Sequence, residues 1–254
     1  HAVAALADDE ALLTQLFQYR FGHGEELDGH CFGNLFITAL AAVTGSFERA
    51  IVEAGRVLAI RGAILPSTLQ NVTLVADLRA EPAVAAPALT RIEGESAIPK
   101  AGWPIERVSL QPEGVRAYPE AVRAILAADL IIAGPGSLFT SILPNLLVDG
   151  IRRAVAASPA RKLYVCNVAT QPGETDGFDV GQHVDALQRH VGRGLFPYVL
   201  ANDDLQASSE QPHLKPVALS HGPSPESQAD CGYQVIAADI VDRATPWRHD
   251  AGKL

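Results

Sequence analysis

The chain is poor in cysteine: Cys31, Cys166 and Cys231 are its only three, far apart and without a C-x-x-C pair. That spacing excludes a disulfide scaffold and a thiolate zinc site, and it fits a reducing compartment. No apolar run approaches the ~20 residues that a membrane-spanning helix needs, so no membrane insertion is expected. Basic residues are also scarce. With 20 Lys and Arg against 29 Asp and Glu the formal net charge is −9, and the pI is about 5.3. Nucleic acid is thereby excluded as a partner, because its binders concentrate Lys and Arg on one face. A small anionic ligand stays open, since a few backbone amides and one or two Arg suffice to hold it. No basic stretch followed by an apolar core opens the chain, so no secretory signal is expected. The sequence starts directly in helix-forming residues with no strand before them. The expectation is therefore that the natural chain continues upstream.

What is present describes one α/β domain over residues 1–254. Hydrophobic residues make up 48% and charged residues 19%, a balance that excludes disorder. Apolar residues recur at helical spacing over 10–21, 34–43 and 47–54. Residues 57–60 and 72–78 read as strands and the Ala- and Pro-rich stretch 80–89 as a loop. Beyond it strands are expected at 105–110, 129–133, 162–167 and 198–201, with helices at 119–128, 137–147, 148–157 and 180–191. A weaker strand signal covers 216–219, and a last strand is expected at 233–238. Strands alternating with helices imply a mostly parallel, doubly wound sheet.

Ligands of such sheets bind at the carboxyl ends of strands. There the strand at 129–133 runs into Gly134-Pro135-Gly136-Ser137 and then a helix carrying Leu138, Thr140, Ser141 and Asn145. The glycines let backbone approach a ligand, the helix start offers unpaired N–H groups, and the hydroxyls add donors. Together these suit a phosphate or diphosphate. The same pattern also serves as a plain tight turn with Ser137 capping a helix. It is neither a P-loop, the dinucleotide fingerprint nor a nucleophile elbow.

The next strand end stacks polar side chains into one loop, Asn167, Thr170, Gln171, Glu174, Thr175 and Asp176. Asn167, Thr170 and Gln171 suit reading a base or sugar edge, and Glu174 suits a hydroxyl pair or a basic role, against the alternative of a self-satisfied turn. Arg20, His30 and Asn34, the last as a helix cap, form another cluster, and Arg61 follows the expected strand at 57–60 as a further anion contact. Surface ion pairing is the competing reading for Arg61. His183 and His190 lie two helical turns apart, too far for one zinc, so no metal site is expected.

Taken together, Leu16-Phe17-Gln18-Tyr19-Arg20-Phe21, Gly29-His30-Cys31-Phe32-Gly33-Asn34-Leu35, the 134–145 segment, the 167–175 segment and Trp247-Arg248-His249-Asp250 resemble the YvcK family of gluconeogenesis factors, relatives of the CofD-like 2-phospho-L-lactate transferases. The resemblance implies a Rossmann-like three-layer α/β/α fold, a cytoplasmic location, homo-oligomerisation and a regulatory protein partner. It further implies a small-molecule nucleotide ligand, a UDP-sugar of the UDP-N-acetylglucosamine type or an NAD-like dinucleotide, and a regulatory role rather than catalysis. A transferase using a nucleotide-linked donor is the alternative. Arg248 matches a family Arg linked to ligand binding. The family's opening strand, Gly-Gly-Thr-Gly turn and Asp-Asp-Gly-Gly segment are not in this sequence. Cys31 stands where Ser is usual, replacing a good hydroxyl donor with a weak one, and residues 203–215 lack an expected Tyr.

Overall fold

The computed structural model describes residues 15–17, 19–22, 27, 30–58, 62–79, 89–205, 214–219 and 232–254. The chain divides into two compact units, His1–Leu69 and Gln70–Leu254.

In the first unit, residues 15–17 are helical, and Arg20 then makes an antiparallel bridge with Cys31. The expected helix over 10–21 thus gives way to extended backbone before Arg20. Cys31 is the cap residue of α1 (Phe32–Thr44), and its thiol donates to the Phe17 carbonyl at 2.8 Å. Asn34 is therefore a first-turn residue of α1 and not its cap. Gly45, at φ 73°, ends α1 by donating its N–H to the Ala41 carbonyl. The next helix, α2 (Phe47–Val57), starts where the Ser46 side chain accepts from the Arg49 N–H. Its buried Ala50 and Ala54 are one turn apart, and the helix carries through to Val57. The strand expected at 57–60 is thus replaced by helix at Val57 and a turn at Leu58, while 59–60 lie outside the described residues. The core of this unit is Phe17 against Phe32, Phe36, Leu58 and Ile64. Gly33 is required there, because a Cβ on it would lie 2.8 Å from the Phe17 ring.

The second unit contains two sheets. In the first, β1 (Thr73–Arg79) pairs antiparallel with β2 (Leu89–Glu93) and with β3 (Ile105–Gln111), in the order β2-β1-β3. The sequence Leu-Thr-Arg-Ile-Glu of β2 is polar and barely buried, so little period marks it as a strand. After α3 (Pro119–Ala127) come β4 (Leu130–Ala133), β5 (Arg161–Val165), β6 (Tyr198–Asn202) and β7 (Gln234–Ala238). These four form a parallel sheet in chain order. Between β4 and β5 run a π-helical turn (Leu138–Ile142), the short α4 (Leu143–Leu146) and α5 (Asp149–Ala157). Between β5 and β6 runs α6 (Val180–Val191), started by a capping box of Asp179 and Gln182.

This is the mixed, Rossmann-like α/β organisation that the alternation of elements implied. Tyr164, Cys166, Val199 and Ala201 pack with Leu138, Phe139, Leu143, Ile151, Val155, Val184 and Leu187 into the main core. Val165 joins Val168, Ile240 and Val241 in a smaller cluster, while Leu130, Ile132, Tyr198 and Ile236 are exposed. The two sheets are tied by His190 of α6. Its Nδ1–H donates to the Ala186 carbonyl at 2.7 Å, and its Nε2 accepts from the Val108 N–H at 3.0 Å. That N–H is available because β3 is an edge strand. Among the described residues no single helix is long and apolar enough to cross a membrane.

Candidate functional site

The turn after β4 is shaped by close packing. Gly134 has φ +94°, and a Cβ on it would sit 2.8 Å from the Val165 carbonyl oxygen, so only glycine fits beside β5. The Gly134–Pro135 bond is cis. Gly136 is different: a Cβ there would meet Ser141 and Ile142 side-chain atoms at 3.7 and 3.9 Å, ordinary contacts. Among the described residues the N–H groups of Gly136, Ser137 and Leu138 donate to no protein acceptor.

The loop after β5 reaches across to this turn in two places. Asn167 Nδ2 donates to Gln171 Oε1 at 3.1 Å, and Gln171 Nε2 donates to the Ser137 hydroxyl oxygen at 2.8 Å. One turn further along both segments, the Thr140 hydroxyl donates to Glu174 Oε1 at 2.9 Å. The loop also braces itself, the Gln171 N–H donating to the Thr175 hydroxyl at 2.9 Å and the Gly173 N–H to Asp176 at 2.6 Å. Its underside rests on the turn after β2: a Cβ on Gly173 would lie 2.0 Å from the Pro99 carbonyl oxygen.

Glu174 is 7% exposed, and its Oε2 has no hydrogen-bond partner. Burial raises its carboxyl above the usual range; the Thr140 hydroxyl and the N–H groups of Phe139 and Thr140 pull it back, and Glu95 adds repulsion. The Phe139 and Thr140 amides thus already serve a protein carboxyl group. An incoming anion is left with the amides of Gly136, Ser137 and Leu138. Burial also pushes the Cys166 thiol up to about 12, which removes it as a nucleophile near neutral pH.

The sequence-derived candidates divide clearly. Gly134, Gly136, Ser137, Thr140, Asn167, Gln171 and Glu174 meet in one hydrogen-bonded or packed group. Leu138 is fully buried in the core, so only its backbone can serve a ligand. Thr170 is buried and joins Lys215, its N–H donating to the Lys215 carbonyl and its hydroxyl accepting from the Lys215 N–H. It anchors the segment 214–219. Asn145 donates to the Ser141 carbonyl at 2.7 Å, and both are exposed. Arg248 is exposed on the C-terminal segment, next to His249, whose ring Nε2–H donates to the Cys166 carbonyl at 3.1 Å. That contact holds His249, the chain neighbour of Arg248, against the carboxyl end of β5. Arg20, His30 and Asn34 belong to the first unit, and Arg61 lies outside the described residues. Sequence reasoning missed the support role of Gly173 and the clasp made by His249; the Trp247–Asp250 match held the only signal for the latter. A surface groove of about 560 Å³ along α6, lined by Phe178, Gln182, Asp185, Gln188, Arg189 and Arg193, shares no side chain with this group.

A parallel α/β sheet with a glycine turn and a buried polar loop at the ends of two neighbouring strands defines a small-ligand-binding α/β protein. Residues 1–241 match the family model described as 2-phospho-L-lactate transferase CofD. The chain is 41% identical over 260 residues to the gluconeogenesis factor of Bacillus subtilis, covering all of this chain and 78% of that protein. It is 41% identical over 224 residues to the gluconeogenesis factor of Halalkalibacterium halodurans, 86% of this chain and 67% of that one. A crystal structure of a Bacillus halodurans protein superposes with a TM-score of 0.83 at 39% identity, over 99% of this chain and 79% of that chain. Another, titled as a member of the UPF0052 family, gives 0.82 over 99% and 78%. The chain belongs to the CofD family, in the branch that holds the gluconeogenesis factors. It spans 55% of the length of a Nostoc sp. relative that is 44% identical over 262 residues.

Proposed function

We propose that this chain is a regulatory protein of the gluconeogenesis-factor type that binds a nucleotide sugar, of the UDP-N-acetylglucosamine kind, between the 134–137 turn and the 166–175 loop. The observation that carries the reading is the donor chain from Asn167 through Gln171 to Ser137. Each link spends an acceptor on its neighbour, so the Ser137 hydroxyl is left with a proton to give, beside three backbone N–H groups that have no protein acceptor. Such a cluster of neutral donors suits a diphosphate. Arg248, brought to the same sheet end by His249, adds a cation. The names of the relatives support a role in central carbon metabolism, and cell shape and envelope synthesis belong to the same proposal, as do a cytoplasmic location, self-association and a protein partner.

The second reading, transfer of a phosphate-linked group from a nucleotide donor to a small hydroxy acid, is favoured by the description of the matching family model. Calorimetric titration with UDP-N-acetylglucosamine, against UDP, NAD and a guanosine nucleotide, followed by a search for product, separates the two. Uridine-selective binding without turnover is expected. Absence of binding, or turnover of a guanosine-linked donor, overturns the regulator reading in favour of the transferase.

A further inference from the structure

The groove along α6 lies apart from the polar network, and its lining follows an order. Phe178 precedes the helix, and Gln182, Asp185 and Arg189 follow on one helical face at three- and four-residue spacing. Arg193 lies just past the Gly192 cap. From Gln182 to Arg189 the helix rises ~10 Å, and the groove, at about 560 Å³, has the size of a small-molecule site. Phe178 is half-buried and sits edge-to-face with Phe139 and His183, ring centroids 6.3 and 5.5 Å away, which fixes its ring in the groove wall. Gln182 Oε1 accepts from the Asp179 N–H at 2.9 Å, so its side chain is held and its amide N–H groups are left to donate. Asp185, Arg189 and Arg193 are exposed, and among the described residues none of the three makes a hydrogen bond or an ion pair. Other helices of this chain behave differently. Glu53 with Arg56, Glu120 with Arg123, and Asp149 with Arg152 and Arg153 all close their pairs at the same three- or four-residue spacing. Asp185 and Arg189 have the acid-first, four-residue arrangement that favours pairing most, yet they stay unpaired. The helix C-terminus beside Arg189 and Arg193 carries about half a negative charge, so one guanidinium balances it and the second is left over. Arg107 on β3, which acts on His190 together with Arg189, adds a third cation at this end.

We propose that this groove is a second ligand site that takes a nucleoside diphosphate: the base over Phe178 with an edge on the Gln182 amide, the ribose hydroxyls on Asp185, and the phosphates on Arg189 and Arg193. The order of groups along the helix, aromatic ring, amide, carboxylate and then two guanidinium groups, is the order of their partners along such a molecule. An aromatic face stacks any base, a carboxylate accepts from ribose hydroxyls, and guanidinium forks donate to phosphate oxygens. A bare anion engages only the arginines and is repelled by Asp185, and an apolar ring alone engages only Phe178. The groove shares no side chain with the Ser137 group, so this site stands whether or not the ligand proposed for that group is correct.

The test is calorimetric titration of the full chain with adenosine diphosphate, and separately with inorganic pyrophosphate, which has the phosphates without the base or ribose. Wild type is expected to bind adenosine diphosphate at least about tenfold more tightly than pyrophosphate, since stacking on Phe178 and the Asp185 contact are missing from the latter. Removing both guanidinium groups in Arg189→Ala/Arg193→Ala is expected to weaken adenosine diphosphate by about a hundredfold, roughly tenfold for each charge-assisted contact. Both positions are exposed, so a melting temperature near wild type is expected for that variant. Asp185→Asn is expected to weaken adenosine diphosphate while pyrophosphate binds no worse, because a carboxylate repels the bare anion. Gly136→Val, altered at the other site, is expected to bind adenosine diphosphate as wild type does. Absence of adenosine diphosphate binding to wild type overturns the inference, and so does binding that survives in the double arginine variant. Loss of binding in Gly136→Val overturns it by placing the nucleotide at the 134–137 turn. Pyrophosphate bound as tightly as adenosine diphosphate overturns it by reducing the groove to a patch for any anion.

Discussion

Replacing Gly173 by alanine tests whether the polar loop is held in position from beneath. Gly173 has φ +77°, and its missing Cβ would lie 2.0 Å from the Pro99 carbonyl oxygen and 2.8 Å from the Pro99 carbonyl carbon. Two effects add. Holding alanine in the left-handed region costs about 1–2 kcal/mol, and forcing a methyl group against immobile backbone costs about 1–3 kcal/mol. The reduced freedom of the unfolded chain returns roughly 0.4–1 kcal/mol, leaving a net loss of about 1–4.6 kcal/mol. In a unit of this size each kcal/mol lowers the melting temperature by about 2–4 °C, so a fall of roughly 2–18 °C is expected. Gly177 is the internal control, since its φ is +73° but a Cβ there meets nothing within 4 Å. Gly177→Ala carries the backbone effect alone, and the difference between the two variants isolates the contact with Pro99. Scanning calorimetry of both variants beside wild type gives the answer. If Gly173→Ala melts together with Gly177→Ala, the loop does not rest on the Pro99 turn and the reasoning fails.

A paired substitution in the glycine turn separates folding from binding. Gly136→Val is expected to fold with a melting temperature near wild type and to lose nucleotide-sugar affinity, whereas Gly134→Ala destabilises the fold through its contact with the Val165 carbonyl; unchanged affinity in Gly136→Val removes the ligand from this turn. Stability should also fall on acidification below about pH 6.5, because burial lowers His183, His190 and His249 and the unfolded chain then binds protons that the folded chain refuses. Glu174, raised by burial, acts with the opposite sign above its unfolded value of 4.5 and offsets part of the effect; a melting temperature that holds or rises from about pH 7 to 5.5 contradicts this account.

The parallel sheet was legible in the sequence because its strands and helices are marked by burial and by capping chemistry. The helix read over 180–191 is Val180–Val191, with Asp179 and Gln182 supplying the box that starts it. Strands such as Leu-Ile-Ile-Ala in β4 stand out as short apolar runs. The antiparallel sheet was half visible. Its central strand, β1, is buried and apolar, but β2 is an exposed edge whose Thr, Arg and Glu carry no alternation strong enough to read. Its partnership with β1 arises from tertiary pairing, which local propensity does not encode. The 57–60 segment failed for the opposite reason. Apolar Val57 fits a strand or the last turn of a helix equally well, and the Ala50–Ala54 packing of α2 decided for the helix.

The site shows the same division between what residue type reveals and what position decides. Glycines and polar side chains at two strand ends identified the group, but their roles depend on partners tens of residues away. Thr170 and Gln171 are neighbours of similar polarity, yet Thr170 turns to Lys215 and Gln171 to Ser137. The first anchors the segment 214–219 and the second ties the loop to the 134–137 turn. Glu174 carries the point furthest. In sequence it looks like one acid among several on a polar loop, fit for a base or for a sugar hydroxyl. Its burial at 7% exposure and its Thr140 partner 34 residues away change that chemistry. A carboxylate in water is an acceptor with two free oxygens; here one oxygen is taken by Thr140 and the other is sealed, so burial raises its proton affinity. The pairing of Gln171 with Ser137 and of Glu174 with Thr140 is thus a property of the assembled pair of strand ends rather than of either motif.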